Sequence, residues 1–258
     1  MAERLLELDH VTMQFGGITA LDDVTVHVDT GEIMGLIGPN GAGKTTVFNV
    51  VTGVYHPTEG DVRFDGRSIV GEKRYRITKR GIARTFQNIR LFPEMTALEN
   101  VMVGVDAHAR TSVPGALVRL PGTRAEEHAA RDEAMQLLEF MGIAAQADNA
   151  ARNLPYGFQR RLEIARAMAT KPKILLLDEP AAGFNPAEKR ELGNLIRTIR
   201  DRGFTVLLIE HDMSVVMSVC DRINVLDFGK HIADGKPAEI RNNAKVIQAY
   251  LGVQTDAA

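Results

Sequence analysis

An α/β fold is predicted by three features of the sequence. Two continuous apolar runs, Lys173–Asp178 and Thr205–Glu210, are separated by the helical pattern Ala187–Arg202. A third run, Glu32–Ile37, leads through a glycine-rich turn into the helix Thr45–Val51. The long stretch between these halves, from Leu91 to Ala169, has apolar residues at helical rather than alternating spacing. Short apolar runs bounded by turn residues are expected of strands buried on both faces, and parallel strands need a crossover long enough to hold a helix.

The remaining elements follow in order. Leu5–Phe15 and Asp23–Val28 are rich in β-branched residues, alternate in part and flank Gly16 and Gly17, so they predict antiparallel strands. Asp61–Phe64 predicts another after the turn His56–Gly60. Within Thr123–Met141 the residues Ala129, Ala134, Leu137, Leu138 and Met141 mark a helix in a lobe inserted into the core. The loop Ala107–Gly122, with Pro114, Gly115, Pro121 and Gly122, is expected to be the most mobile connection, and Val253–Ala258 a frayed tail. One domain is expected over 1–258, with a core of 1–90 and 170–258 and a helical subdomain of 91–169.

Composition narrows the functional classes. A chain of 258 residues, 45% hydrophobic and 25% charged, can bury a sizeable core. A net charge of −2 with mixed signs gives no basic stripe, so no nucleic-acid partner is expected. A single cysteine, Cys220, forms no internal disulfide, and the N-terminus lacks the pattern of a signal peptide. No run approaches the roughly 20 apolar residues that span a bilayer. These features predict a cytoplasmic protein that reaches a membrane through a partner.

The chemistry is concentrated in a few short segments. Gly38, Pro39, Asn40, Gly41, Ala42, Gly43, Lys44 and Thr45 fit G-x-x-x-x-G-K-[ST] between a buried strand and a helix, the context that phosphate-loop motif requires. Glycines let backbone N–H groups wrap phosphates, the helix start at Thr45 and Thr46 adds its positive end, Lys44 reaches the β- and γ-phosphates, and the Thr45 hydroxyl is a Mg²⁺ ligand. A nucleoside triphosphate with Mg²⁺ is the expected ligand, and the loop alone does not separate a kinase from a switch GTPase or a transporter motor. Asp178 ends an apolar strand, where a carboxylate can hold the metal through its water shell, and Glu179 beside it is placed to orient or deprotonate the attacking water.

Together these segments resemble the ATP-binding cassette family over essentially the whole chain. Gln87 in Ala83–Gln87 matches the Q-loop glutamine, and Leu154–Arg166, with Tyr156 and Gly157, is similar to the signature loop and helix. Pro180–Pro186 resembles the D-loop, His211 the switch histidine, and Phe15 the ring that stacks on adenine. The resemblance implies a P-loop NTPase core of RecA-like type with an N-terminal antiparallel β-subdomain and an inserted α-helical subdomain. It also implies Glu179, His211 and Gln87 as catalytic residues. Thr45, Gln87 and Asp178 would hold the metal, and Phe15, the loop Gly38–Thr46, Tyr156 and Gly157 the nucleotide. Partners implied are two transmembrane permease subunits, a second cassette of the same or a sister chain closing head to tail, and indirectly a substrate-binding protein. The location implied is the inner face of the cell membrane.

Two positions depart from the family pattern. Pro155 stands where a serine usually contacts phosphate, and it has neither hydroxyl nor backbone N–H. Asn185 replaces the usual D-loop aspartate and loses its charge. A Gly-containing turn before a helix over Arg160–Ala169 still offers N–H groups to an anion, so closure is expected, with slow turnover of the isolated chain. Tyr156 and Gly157, Arg160–Ala167, Asp178–Gly183, Glu210–Met213, Cys220–Arg222 and Ala249–Gly252 resemble cassettes of branched-chain amino acid importers in particular. Urea or amide importers and lipopolysaccharide exporters share such cues. A soluble relative acting on DNA or ribosomes would need coiled-coil arms, a second cassette or a basic surface, none of which is visible. A phosphate-loop kinase would leave the signature segment and His211 unexplained.

Overall fold

The computed structural model describes residues 3–106 and 121–251. The chain forms two compact units, one of Met1–Ile77 with Leu176–Ala258 and the other of Thr78–Leu175.

The first unit opens with a hairpin of β1 (Arg4–Phe15) and β2 (Ile18–Asp29) turning at Gly16, whose φ of 57° suits a residue without a Cβ. With β4 (Glu59–Phe64) and β5 (Arg67–Ser68) it makes an antiparallel sheet in the order β2-β1-β4-β5. Leu6 pairs with Phe64 and Leu8 with Val62, and all four side chains are buried, as the alternation requires.

β3 (Ile33–Ile37) lies parallel to both β8 (Thr205–Ile209) and β9 (Arg222–Asp227), and the order β10-β9-β3-β8-β7 is completed by β7 (Ile174–Asp178) and β10 (Lys230–Gly235). Every residue of β3, β7 and β8 is buried, which accounts for their unbroken apolar runs. The helix α1 (Lys44–Val51) follows β3, and α2 (Arg74–Arg80) crosses the boundary between the units.

In the second unit, β6 (Ile82–Arg84) follows Gly81, whose carbonyl accepts from the backbone N–H groups of Lys173 and Ile174. Among the described residues this unit holds the α-helices α3 (Ala97–Val105), α4 (Pro121–Phe140) and α5 (Tyr156–Ala169). α3 starts on a reciprocal cap in which the Thr96 side chain accepts from Glu99 N and the Glu99 carboxylate accepts from Thr96 N. α3 packs on both α4 and α5. At Gly104 a Cβ would sit 2.4 Å from the Arg166 carbonyl oxygen and 2.7 Å from the Ala169 Cβ, so glycine sets how closely α3 and α5 approach. Leu138 and Leu162 are fully buried in this unit, each contributing about 1.5–3 kcal/mol.

The crossover from β7 to β8 is α6 (Pro186–Asp201), which buries Leu192, Ile196 and Ile199 along one stripe. After β8 come α7 (Met213–Val219), α8 (Pro237–Arg241) and α9 (Ala244–Leu251). No helix among the described residues is long and apolar enough to cross a membrane.

The α/β core, the antiparallel N-terminal sheet and the helical insertion expected from the sequence are all present. One boundary differs. α5 begins at Tyr156 rather than Arg160, with Pro155 as its N-cap and the Pro155 carbonyl accepting from Phe158 N and Gln159 N. Proline fits here because a helix start leaves its first N–H groups without intrahelical partners. Residues 107–120 of the expected mobile loop lie outside the described residues, whereas Pro121 and Gly122 open α4; the tail Val253–Ala258 also lies outside them.

Candidate active site

The loop between β3 and α1 is shaped by glycines. Gly38 has a φ of 152° and a Cβ there would lie 2.1 Å from the Leu226 carbonyl oxygen; Gly43, at φ 100°, would meet the Ala20 carbonyl oxygen at 2.7 Å. Gly43 is the N-cap of α1 and gives it no side-chain cap, and the first turn carries no acidic residue. An uncapped helix start is an anion site, because its N–H groups and the positive end of the helix dipole point out of the loop. Thr45 is exposed and Thr46 half-buried in that first turn, with Pro39, Asn40, Gly41 and Ala42 between the glycines.

Lys44 is only 8% exposed and donates from Nζ to the carbonyl oxygens of Gly38 at 2.7 Å and Pro39 at 2.8 Å. Burial pushes its pKa down, and the nearby carboxylates of Glu179 and Asp178 oppose that shift. Asp178, 4% exposed, is the last residue of β7. Glu179 follows with a φ of 46°, a left-handed conformation that costs a non-glycine residue about 1–3 kcal/mol. The bond from Glu179 N to the Ile209 carbonyl, 2.9 Å, holds that turn against the end of β8. The Glu179 Oε2 is 3.6 Å from Nδ1 of His211, an exposed ring.

A buried acid at the end of β8 organises both loops. Glu210 is 1% exposed; its Oε1 accepts from Ala181 N at 2.7 Å, and its Oε2 from His211 N at 3.2 Å and Asp212 N at 3.4 Å. Burial pushes its pKa up, while the three backbone N–H groups and His211 hold it back. A charged residue closing the apolar run of β8 was the available signal. Asp212 caps α7 by accepting from Ser214 N at 2.9 Å and pairs with Lys189 Nζ.

Asn185 caps α6, its side chain accepting from Ala187 N at 2.9 Å and Glu188 N at 3.0 Å, while the Glu188 carboxylate accepts from Asn185 N. That bond pattern asks for a hydrogen-bond acceptor and not for a charge. Phe15 packs edge-on against Tyr55, with ring centroids 5.0 Å apart, and is 40% exposed.

Lys44, Asp178, Glu179 and His211 thus belong to one unit, as does Phe15. Gln87, Tyr156 and Gly157 belong to the second unit. There, Gln87 is exposed, Tyr156 and Gly157 form the first turn of α5, and Nη2 of Arg160 bonds both the Gln87 carbonyl oxygen and the Tyr156 hydroxyl, at 2.8 and 3.1 Å. Among the described residues no three His, Cys, Asp or Glu side chains cluster as a metal cage. The donor set present is one buried carboxylate, Asp178, and one helix-start hydroxyl, Thr45. That set suits Mg²⁺, which keeps waters and phosphate oxygens in its shell, better than a metal bound wholly by protein.

Comparison with known proteins identifies a family. The family described as ABC transporter matches residues 21–182, and one described as branched-chain amino acid ATP-binding cassette transporter matches residues 230–256. The chain is 49% identical to the high-affinity branched-chain amino acid transport ATP-binding protein BraF of Pseudomonas aeruginosa, over 98% of this chain and 99% of that one. It is 47% identical to LivG of Escherichia coli K12, which carries the same description, over the same shares. The ADP conformation of MJ1267, an ATP-binding cassette of an ABC transporter, superposes with a TM-score of 0.84 at 32% identity, covering 97% of this chain and 99% of that one.

Proposed function

Since the chain belongs to the ABC transporter ATP-binding family, we propose that it is the ATP-hydrolysing subunit of a branched-chain amino acid importer. The observation that carries the chemistry is the gathering, around one uncapped helix start, of the buried Lys44 ammonium, Asp178, and Glu179 with His211 against it. The near-full-length likeness to BraF and LivG supports the cargo.

The loop Gly38–Thr46 binds the phosphates through backbone N–H groups, and Lys44 exchanges its two loop carbonyls for β- and γ-phosphate oxygens. Thr45 and Asp178, which belong to one unit, would hold Mg²⁺, and the ion would supply charge neutralisation on the phosphates. Glu179 accepts the proton of the attacking water as it adds to the γ-phosphorus and the bond to ADP breaks. His211, beside Glu179, donates to the γ-phosphate and fixes that water. Phe15 offers a half-exposed ring to adenine.

Gly157 and the start of α5 cover the γ-phosphate bound by a second cassette, of the same or a sister chain, so closure excludes water and completes the site. The dimeric post-hydrolysis state of the cassette MJ0796 bound to ADP and Pi, with a TM-score of 0.76 and 28% identity, supports such a pairing. Pro155 removes one hydroxyl from that contact and leaves the helix start intact. Two permeases place the pair on the inner face of the cell membrane, fed by a substrate-binding protein.

The test is to tag the chain in its host, solubilise membranes gently and identify by mass spectrometry what co-purifies. Two small permeases, a sister cassette and a binding protein that takes leucine, isoleucine or valine are expected. A binding protein for urea or amides, or a lipopolysaccharide-export bridge, would replace the cargo while keeping the ATPase. Ribosomes or DNA would overturn the transporter assignment.

A further inference from the structure

The segment Phe86–Arg90 around Gln87 is in neither helix nor strand, so its backbone groups need partners from elsewhere. They find them in side chains of α5. Arg160, fully buried, donates from Nη1 to the Phe86 carbonyl oxygen at 2.7 Å and from Nη2 to the Gln87 carbonyl oxygen at 2.8 Å. Glu163, also buried, accepts through Oε1 from Phe86 N at 3.4 Å and Arg90 N at 3.1 Å, and its Oε2 pairs with Arg160 Nη1 at 2.8 Å. Arg166, further along α5, donates to the Arg90 carbonyl oxygen. Arg160 also reaches the Tyr156 hydroxyl in the first turn of its own helix.

A buried ion pair is an expensive way to fill space, because both charges must be desolvated and an apolar pair of similar volume packs as well or better. Here the charges are directed at backbone groups of a segment without regular structure, and one guanidinium touches both Gln87 and Tyr156. We propose that Arg160 and Glu163 are a positioning pair that makes the Q-loop move with the signature helix, so that engagement of Tyr156 and Gly157 resets Gln87. This role rests on the ATPase reading above, and it adds how Gln87 is set.

The geometry also says which substitutions separate linkage from folding. Arg160→Met with Glu163→Leu removes both charges and keeps volume. Arg160→Lys keeps the charge opposite Glu163 but replaces a planar fork by a single ammonium that cannot hold two carbonyls, the carboxylate and the tyrosine together. Both are made in the full chain, and each is compared with the parent in melting temperature, affinity for a fluorescent ATP analogue, kcat and KM for ATP. The same substitutions in a Glu179→Gln background are followed by hydrogen exchange of residues 86–90 with and without ATP.

The expected result is ATP affinity within twofold of the parent, kcat down at least tenfold with KM unchanged, and ATP no longer altering exchange at 86–90 although the dimer still forms. If the double variant fails to fold, Arg160→Lys decides, with melting near the parent and the same loss of kcat. A folded variant with kcat within twofold of the parent and a parent-like exchange response overturns the proposal. Failure of the unsubstituted chain to release phosphate from ATP would overturn the ATPase reading itself, and with it the role of the pair.

Discussion

Oε2 of Glu179 and Nδ1 of His211 stand 3.6 Å apart, a contact slightly too long for a hydrogen bond, and they come from loops that follow two neighbouring strands, β7 and β8. A carboxylate next to a ring that can donate is what is needed to take one proton and steady the phosphoryl group that is leaving. Glu179→Gln should therefore bind ATP with parent affinity while hydrolysing it about 100-fold or more slowly, and His211→Ala should lose a comparable factor. Equal loss of binding and turnover in either variant, measured by nucleotide titration and phosphate release, would show that these side chains hold the ligand and do not serve the chemical step.

Glu210 holds Ala181, His211 and Asp212 by their backbone N–H groups from a buried position, so its loss should be felt at both loops. Glu210→Leu leaves three N–H groups without their acceptor and should cost about 2–4 kcal/mol in urea unfolding, together with a fall in kcat. Unchanged stability with unchanged kcat would contradict the organising role.

Asp212 has its carboxyl held well below the usual carboxylate range, first by Lys189 and then by Ser214, against a smaller opposing effect of burial. A depressed folded-state pKa contributes stability above the unfolded value near 3.8 that is lost as pH falls through the folded value. Asn caps helices as well as Asp, so Asp212→Asn isolates the charge. It should cost about 1–3 kcal/mol at pH 7, with the gap narrowing only below about pH 4. A gap that stays constant down to acid unfolding would remove the Lys189 pair as its cause.

Gly104→Ala places a methyl group against the Arg166 carbonyl and Ala169, neither of which is a flexible side-chain end. α3 and α5 must separate, and the expected loss is about 1–3 kcal/mol despite alanine's better helix propensity. A raised melting temperature would mean that the helices yield without cost.

Much of this was legible in the chain because the relevant patterns are local. The run Ile174–Leu177 could only be a doubly buried strand, and Gly38–Thr45 between strand and helix is a motif with its own context. The antiparallel start was visible in the alternation around Leu6 and Leu8. The beginning of α5 was read four residues late, because Pro155, Tyr156 and Gly157 look like a turn until the capping position is seen. Arg160, Glu163 and Glu210 lie in segments that resemble importer cassettes, but what each of them holds is not legible there. A charge in an apolar stretch shows that something must satisfy it, but the partners, Phe86 and Gln87 for one and Ala181 for the other, are distant in sequence.

The central claim, that this chain couples ATP hydrolysis to amino acid import, is tested most directly by uptake of labelled leucine into proteoliposomes carrying the co-purified membrane complex and its binding protein. Uptake that requires ATP on the cassette side and disappears when the complex carries Glu179→Gln is the predicted result. Leucine uptake that persists with Glu179→Gln, or ATP hydrolysis by the complex that leucine-loaded binding protein neither stimulates nor turns into transport, would contradict it.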